Sequence, residues 1–344
     1  MKAMMLTGIR KMELQDVRAP VLRKPTDVLI RIDVVGVCGS DVHYYLDGRI
    51  GQQVVEYPFP VGHECAGTVA RVGRRVTRVK PGDRVAVEPA VSCGRCDQCR
   101  TGRPHTCRTI RFLGCPRQAA GCLSEFIVMP ETCCLPLRRS TTTEHAALAE
   151  PLSIGTYALT LAGPLRGRRI AVLGAGPIGL CCLLPARLQG AAAVYMTDRI
   201  DHRVAVARRA GADWTGNPDR EDVVRAIQKR EPLLLDVVFE CCGQQDAIDQ
   251  AVRLLKPGGV LVLVGIPTVD RISFDIAEAR RREIVIRNVR RQNGCMERAL
   301  HSIESGKIGV EFMVTHRFPL AQTQEAFERV ANYRDGVIKA LILL

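Results

Sequence analysis

The feature that most restricts the fold is an alternation of strand-length and helix-length segments that begins after Glu150-Pro151. A short apolar run at 170–173 is followed by helical spacing over 178–189, and 193–197 with 201–210 repeats the pair. A helix at 221–229, a strand at 234–240, a helix at 246–255 stopped by Pro257-Gly258-Gly259, and a strand at 260–265 continue it. Repeated units of this kind force a parallel, doubly wound sheet. The preceding residues read differently: apolar side chains alternate with polar ones at Val28, Ile30, Ile32 and Val34, and β-branched runs between glycine turns make this half mostly β. A strand at 284–289, helices at 296–305 and 322–330 and a terminal strand at 338–343 complete the chain. Periodicity alone does not assign them to either half.

A chain of 344 residues fits two domains rather than one core. Its 47% apolar and 25% charged content is that of an ordinary globular protein, with no internal repeat or low-complexity tract. The N-terminus lacks an apolar stretch long enough for a signal peptide, and glycines and prolines interrupt the apolar run at 170–186, which is too short for a bilayer. These features predict a cytoplasmic protein without a membrane partner. Fifteen cysteines then belong to a reducing compartment, as metal ligands or small core residues. The doublets Cys133-Cys134, Cys181-Cys182 and Cys241-Cys242 read as core filler, because neighbours on a strand face opposite ways. A formal charge of +13 permits phosphate binding, but the arginines are scattered and no basic run is interleaved with aromatics. A small-molecule substrate, not nucleic acid, is the expected partner.

Three groups of residues carry chemistry. Cys93, Cys96, Cys99 and Cys107 can surround one tetrahedral ion and leave no position for water, which describes structural zinc. An iron–sulfur cluster or a pair of disulfides would use the same four cysteines, and the basic, turn-forming residues between them favour zinc. His105, inside this loop, reads as a solvated residue. Gly174-Ala175-Gly176-Pro177-Ile178-Gly179 follows a strand and opens a helix, the context of a dinucleotide site. Gly174 permits the tight turn, Gly176 lets a pyrophosphate approach, and Gly179 allows close packing of helix on strand. Asp198, nineteen residues beyond Gly179, is placed for a ribose hydroxyl and favours NAD over NADP, while Arg199 and Arg203 are able to receive a 2′-phosphate. Val264 and Ile266, at the end of the 260–265 strand, are read as further cofactor contacts. Finally, Cys38, His63 and Glu64 supply a thiolate, an imidazole and a carboxylate, which with one water describe catalytic zinc. Their separation in sequence leaves their convergence open.

Gly62-His63-Glu64-Cys65-Ala66-Gly67-Thr68-Val69, Lys80-Pro81-Gly82-Asp83-Arg84-Val85, the four-cysteine lobe, Glu150-Pro151-Leu152-Ser153 and the glycine loop together resemble the zinc-dependent medium-chain alcohol dehydrogenases. The segments at 38–45, 48–51 and 314–320 resemble their polyol branch, acting on sorbitol, xylitol or L-iditol. The resemblance implies an α/β protein: a GroES-like β-rich catalytic domain at 1–152 with a zinc lobe at about 91–110, a Rossmann cofactor domain at 153–289, and a return to the catalytic domain at 290–344. It implies two zinc ions and one NAD per subunit, and a homodimer or homotetramer. Cys38, His63 and Glu64 would hold the catalytic zinc, with Glu150 beside or alternately on it. Ser40 would contact the reacting oxygen, and Tyr44 and Phe112 would line the pocket.

Two departures stand out. Animal polyol dehydrogenases commonly lack the complete four-cysteine lobe present here. Where the branch usually shows Phe-Arg-Tyr, this chain has Arg290-Arg291-Gln292: Arg291 matches a substrate-contacting arginine, and Arg290 adds a guanidinium able to receive a carboxylate or phosphate. The expected function is reversible, NAD-linked oxidation of a secondary hydroxyl of a polyol to a ketose, with Ser40, Glu150 and His43 in the proton path. The alternatives are the same chemistry on a sugar phosphate, sugar acid, threonine or simple diol, or a nucleic-acid-binding or catalytically idle zinc protein.

Overall fold

Val28, Ile30 and Ile32 point one way from the strand Asp27–Gly36 and are sealed from solvent, while Arg31 between them is exposed. That alternation belongs to a sheet buried on one face. In the computed structural model, which describes residues 1–344, this strand is central to a seven-stranded sheet. Glu64–Val72 and Lys339–Leu343 flank it antiparallel, Phe126–Pro130 also pairs with it, and Val314–Pro319 lies parallel to Lys339–Leu343 at one edge. The last strand of the chain therefore lies next to the strand that precedes Cys38.

The backbone forms two compact units, Met1–Glu150 with Met296–Leu344, and Pro151–Cys295. Residues 290–295 thus stay with the second unit. The helix Gly39–Asp47, which starts at Cys38, is fixed from the C-terminal segment of its own unit. The Tyr45 ring packs tilted against Phe327, centroids 5.4 Å apart, and its hydroxyl donates to Glu328 Oε1 at 2.6 Å. Arg10 grips the same carboxylate with two bonds of 3.1 Å.

The second unit contains six parallel strands in the spatial order Trp214–Gly216, Ala193–Thr197, Arg169–Leu173, Leu235–Glu240, Leu255–Leu263 and Val285–Asn288. The order reverses between Arg169–Leu173 and Leu235–Glu240, and ligands of such sheets bind where it does. The stop expected at Pro257-Gly258-Gly259 is corrected: helix Gln245–Leu254 passes directly into strand Leu255–Leu263. Leu235 pairs with Leu255 and Val237 with Val260, so the Pro-Gly-Gly segment is absorbed as a bulge, with Gly258 left-handed (φ 71°) and its N–H bonded to Arg282 O. The helix Ala149–Ala162 escapes a periodicity reading because it is buried on nearly every side. No helix is long and apolar enough to cross a membrane.

Gly179 stands in the first turn of Pro177–Leu188, where an added Cβ would overlap the Gly174 carbonyl oxygen and meet Met196 Cε at 3.2 Å. Gly179→Ala is expected to destabilise the protein by about 1–3 kcal/mol in urea unfolding. A change below about 0.5 kcal/mol would show that the helix shifts without cost.

Candidate active site and metal centres

The four lobe cysteines converge. Cys96 Sγ lies 3.6 Å from Cys99 Sγ and 3.8 Å from Cys107 Sγ, and Cys93 Sγ lies 4.0 Å from Cys99 Sγ. A tetrahedron with metal–sulfur bonds of about 2.3 Å has edges near 3.8 Å, so the cage fits zinc. Backbone N–H groups of Arg95 and Cys96 push the Cys93 thiol down to about 6, and those of Arg108 and Cys99 lower Cys96. Burial and the neighbouring sulfurs push Cys99 up to about 11, since adjacent thiolates repel without a cation. Arg108 braces the lobe through a bidentate pair with Asp97 at 2.6 and 2.8 Å. His105 is only 5% exposed, so the solvated reading is corrected: the short turn Pro104–Thr106 folds it inward.

Cys38, His63 and Glu64 also meet, with one ligand atom from each within 4.8 Å of the others. Cys38 is the N-cap of Gly39–Asp47, His63 immediately precedes the strand Glu64–Val72, and Glu64 opens it. Burial opposes charge on His63, but Asp41 and the Cys38 sulfur outweigh it and hold the imidazole proton firmly. Thiolate, imidazole and carboxylate are donors that suit zinc, and three of them leave a coordination position open.

Two further residues shape this centre, and sequence reasoning gave neither a role. Asp41, 1% exposed, places Oδ1 3.4 Å from His63 Nδ1 and accepts the Gly62 N–H at 3.2 Å. This holds Nδ1 and leaves Nε2 as the ligating nitrogen. Lys339 is buried and donates from Nζ to both Glu64 oxygens, at 2.9 and 2.7 Å, and to Val37 O at 3.0 Å. Glu64 fits there because residue 36 is glycine: a Cβ at Gly36 would overlap Glu64 Oε2. Asp41 is visible in the Cys38–His43 motif, whereas no local signal points to Lys339.

Ser40 Oγ lies 3.4 Å from Cys38 Sγ, and the Phe112 ring sits 5.2 Å from the His63 ring. Tyr44 is buried one turn beyond Ser40. His43 turns its Nδ1 towards Asp47, 3.5 Å away in the last turn of the helix. Glu150 is 4% exposed and stands outside the three-residue ligand group; burial first, then the charges of Glu64 and Glu88, push it up to about 8.

In the second unit, Gly174 adopts the left-handed φ of 105° that the turn requires, Gly176 is the N-cap of Pro177–Leu188, and Pro177 and Ile178 form its first turn. The open helix N-terminus suits a pyrophosphate. Asp198 accepts the Ala175 N–H at 2.8 Å and the Ile200 N–H at 2.9 Å, which ties it to the glycine loop. Arg199 pairs with Asp219 at 2.8 Å, and Arg203 Nη1 lies 3.2 Å from where a Gly176 Cβ would stand. The Val264 N–H bonds Glu240 O at 2.8 Å, and Ile266 is exposed. Arg290 is exposed, and Arg291 is half-buried with a left-handed φ of 54°.

Residues 24–139 match the family model described as alcohol dehydrogenase GroES-like domain, and residues 177–305 match that described as zinc-binding dehydrogenase. The chain belongs to the zinc-dependent medium-chain alcohol dehydrogenase family. It is 35% identical over 343 residues to a sorbitol dehydrogenase of Bacillus subtilis (strain 168), covering 99% of this chain and 97% of that protein. It is 36% identical over 339 residues to an L-idonate 5-dehydrogenase of Vitis vinifera, covering 96% and 92%. A solved Escherichia coli structure, described as an oxidoreductase/dehydrogenase of unknown specificity, matches with a TM-score of 0.94 at 33% identity over 99% of this chain and 98% of that one.

Two measurements separate the metal centres. Asp41→Asn is expected to weaken zinc at the Cys38 group by about 10–100-fold in chelator competition. An affinity within about two-fold of the parent would deny Asp41 that role. Cys96→Ser is expected to lose the lobe zinc in metal analysis and to lower the melting temperature, because closed thiolate sites contribute directly to folding.

Proposed function

We propose that the chain is an NAD-linked, zinc-dependent dehydrogenase that reversibly oxidises a secondary hydroxyl of a polyol to a ketose. The meeting of Cys38, His63 and Glu64 in one group with an open coordination position carries the reading. The full-length likeness to a sorbitol dehydrogenase supports the substrate class. The comparable likeness to an L-idonate dehydrogenase makes a sugar acid the second class to test.

Zinc at this group supplies a Lewis acid that brings the pKa of an alcohol towards neutrality, and NAD supplies the hydride acceptor. The chain's own residues do the rest. Asp41 fixes the His63 ring, and Lys339 fixes the Glu64 carboxylate. In this reading Ser40, whose Oγ lies beside Cys38 Sγ, takes the substrate hydroxyl proton, and Glu150 is the acidic group that passes it outward. Gly174, Gly176 and the helix behind them hold the pyrophosphate, while Asp198 orients the loop and the ribose.

Reduced nicotinamide absorbance across sorbitol, xylitol, L-iditol, L-idonate, threonine and 2,3-butanediol tests the reading. Polyol-dependent NADH formation is the expected result, and its absence with every polyol overturns it. Cys38→Ser is expected to lower kcat/KM by about a thousand-fold or more, while NAD binding measured by calorimetry stays within about two-fold. Near-full turnover in this variant would remove Cys38 from the reaction.

A further inference from the structure

Beside the metal group, the first unit carries a small polar cluster. The helix Gly39–Asp47 ends at Gly48, whose left-handed φ of 67° reverses the chain into a hairpin of Arg49–Ile50 and Gln53–Val54. The turn at Gly51, φ 54°, and the bond from Val55 N–H to Gly48 O at 2.8 Å bring residue 53 back alongside the helix. There the Tyr44 hydroxyl donates to Gln53 Oε1 at 3.3 Å, and Gln53 Nε2 donates to Cys115 Sγ at 3.0 Å. Tyr44 Oη and Cys115 Sγ lie 4.0 Å apart and close the triangle.

The cluster is joined to the metal ligands on both sides. Tyr44 stands one helical turn from Ser40, which touches Cys38 Sγ at 3.4 Å. The Cys115 N–H bonds the carbonyl oxygen of Phe112, and the Phe112 ring packs on His63 at 5.2 Å. Tyr44 and Cys115 are buried, whereas Gln53 is half-buried and is the member a ligand can reach. A carboxamide has two N–H donors and an oxygen with two lone pairs. One N–H goes to a sulfur, a weak acceptor, and one lone pair goes to Tyr44. One donor and one acceptor place remain, and a hydroxyl group both donates and accepts.

Taking the proposed polyol activity as given, we propose that Gln53 is a specificity-determining residue whose carboxamide binds a hydroxyl on the substrate chain beyond the reacting carbon. The chemistry selects a polyhydroxylated chain over an alcohol that continues as hydrocarbon. Replacing the carboxamide by an apolar group of equal length leaves the substrate hydroxyl without its partner, and sites built for a hydroxyl discriminate strongly through such bonds.

The test compares xylitol with 2-pentanol, a secondary alcohol of the same chain length with no further hydroxyl, as kcat/KM in the zinc-loaded enzyme with NAD. In Gln53→Met the ratio of xylitol to 2-pentanol is expected to fall about ten-fold, with the loss carried by KM for xylitol. Gln53→Asn, which withdraws the carboxamide by one methylene, is expected to shift the ratio in the same direction by less, and it carries the test if the methionine variant does not fold. Equal losses on both substrates would make Gln53 a prop for Tyr44 and overturn the inference, as would a ratio within about two-fold of the parent. A parent enzyme that oxidises no polyol would overturn the functional reading instead, before any variant is compared.

Discussion

The buried pair between Lys339 and Glu64 is the interaction on which the first unit's site depends. Both side chains are nearly sealed from solvent, at 2% and 1% exposure, so neither charge has water to fall back on. Removing one partner of such a pair leaves an uncompensated charge and costs about 3–5 kcal/mol. The pair also spans 275 positions of sequence, from the strand that opens at Glu64 to the strand that ends the chain. The C-terminal segment therefore supplies a cation that a metal-binding carboxylate needs in order to be buried, in addition to completing a sheet. Strand order makes this possible: Lys339–Leu343 and Glu64–Val72 both lie against Asp27–Gly36, and Gly36 clears the space in which the carboxylate sits.

The other charges around that pair follow the same logic. Asp41 has one oxygen bonded and its Oδ2 buried without a hydrogen-bond partner, an arrangement that raises the local negative potential at His63. Glu150 is buried as well, and burial first, then the charges of Glu64 and Glu88, push it up to about 8. Lys339, which donates to both Glu64 oxygens, brings a cation to this acidic group. A divalent ion held by Cys38, His63 and Glu64 would help to balance these acidic groups.

Much of this was legible in the sequence wherever the signal was local. The glycine loop sits within six residues, between a strand and the helix it opens, and its left-handed Gly174 and N-cap Gly176 have the geometry that spacing implies. The lobe cysteines fall within fifteen residues, so any loop folded through them brings their sulfurs together. Cys38, His63 and Glu64 needed the resemblance, because two separate elements must meet to join them. Lys339 needed the sheet itself: its partner Glu64 lies 275 positions away in sequence, and no local pattern joins the two. Pro257-Gly258-Gly259 misled for a related reason, since pairing on both flanks holds the strand across residues that would break it in isolation. Asp41 stands within the Cys38–His43 motif, but its contact with His63 joins two separate elements and so leaves no local signal.

The two metal centres reach stability by opposite routes, and their contrast explains why one chain carries both. The lobe draws four sulfurs from one short loop, whose own backbone N–H groups lower the Cys93 and Cys96 thiols. Its coordination shell is closed, so its contribution is to folding. The Cys38 group draws three different donors from an N-cap, a loop end and a strand start, and its orientation is fixed by residues outside the ligand set. Leaving one coordination place open gives up part of the metal's binding energy, and the buried Asp41 and Lys339 contacts offset that loss by holding the ligands in place before the metal arrives. A reactive centre of this kind can exist only where the fold, rather than the ion, holds the donors together.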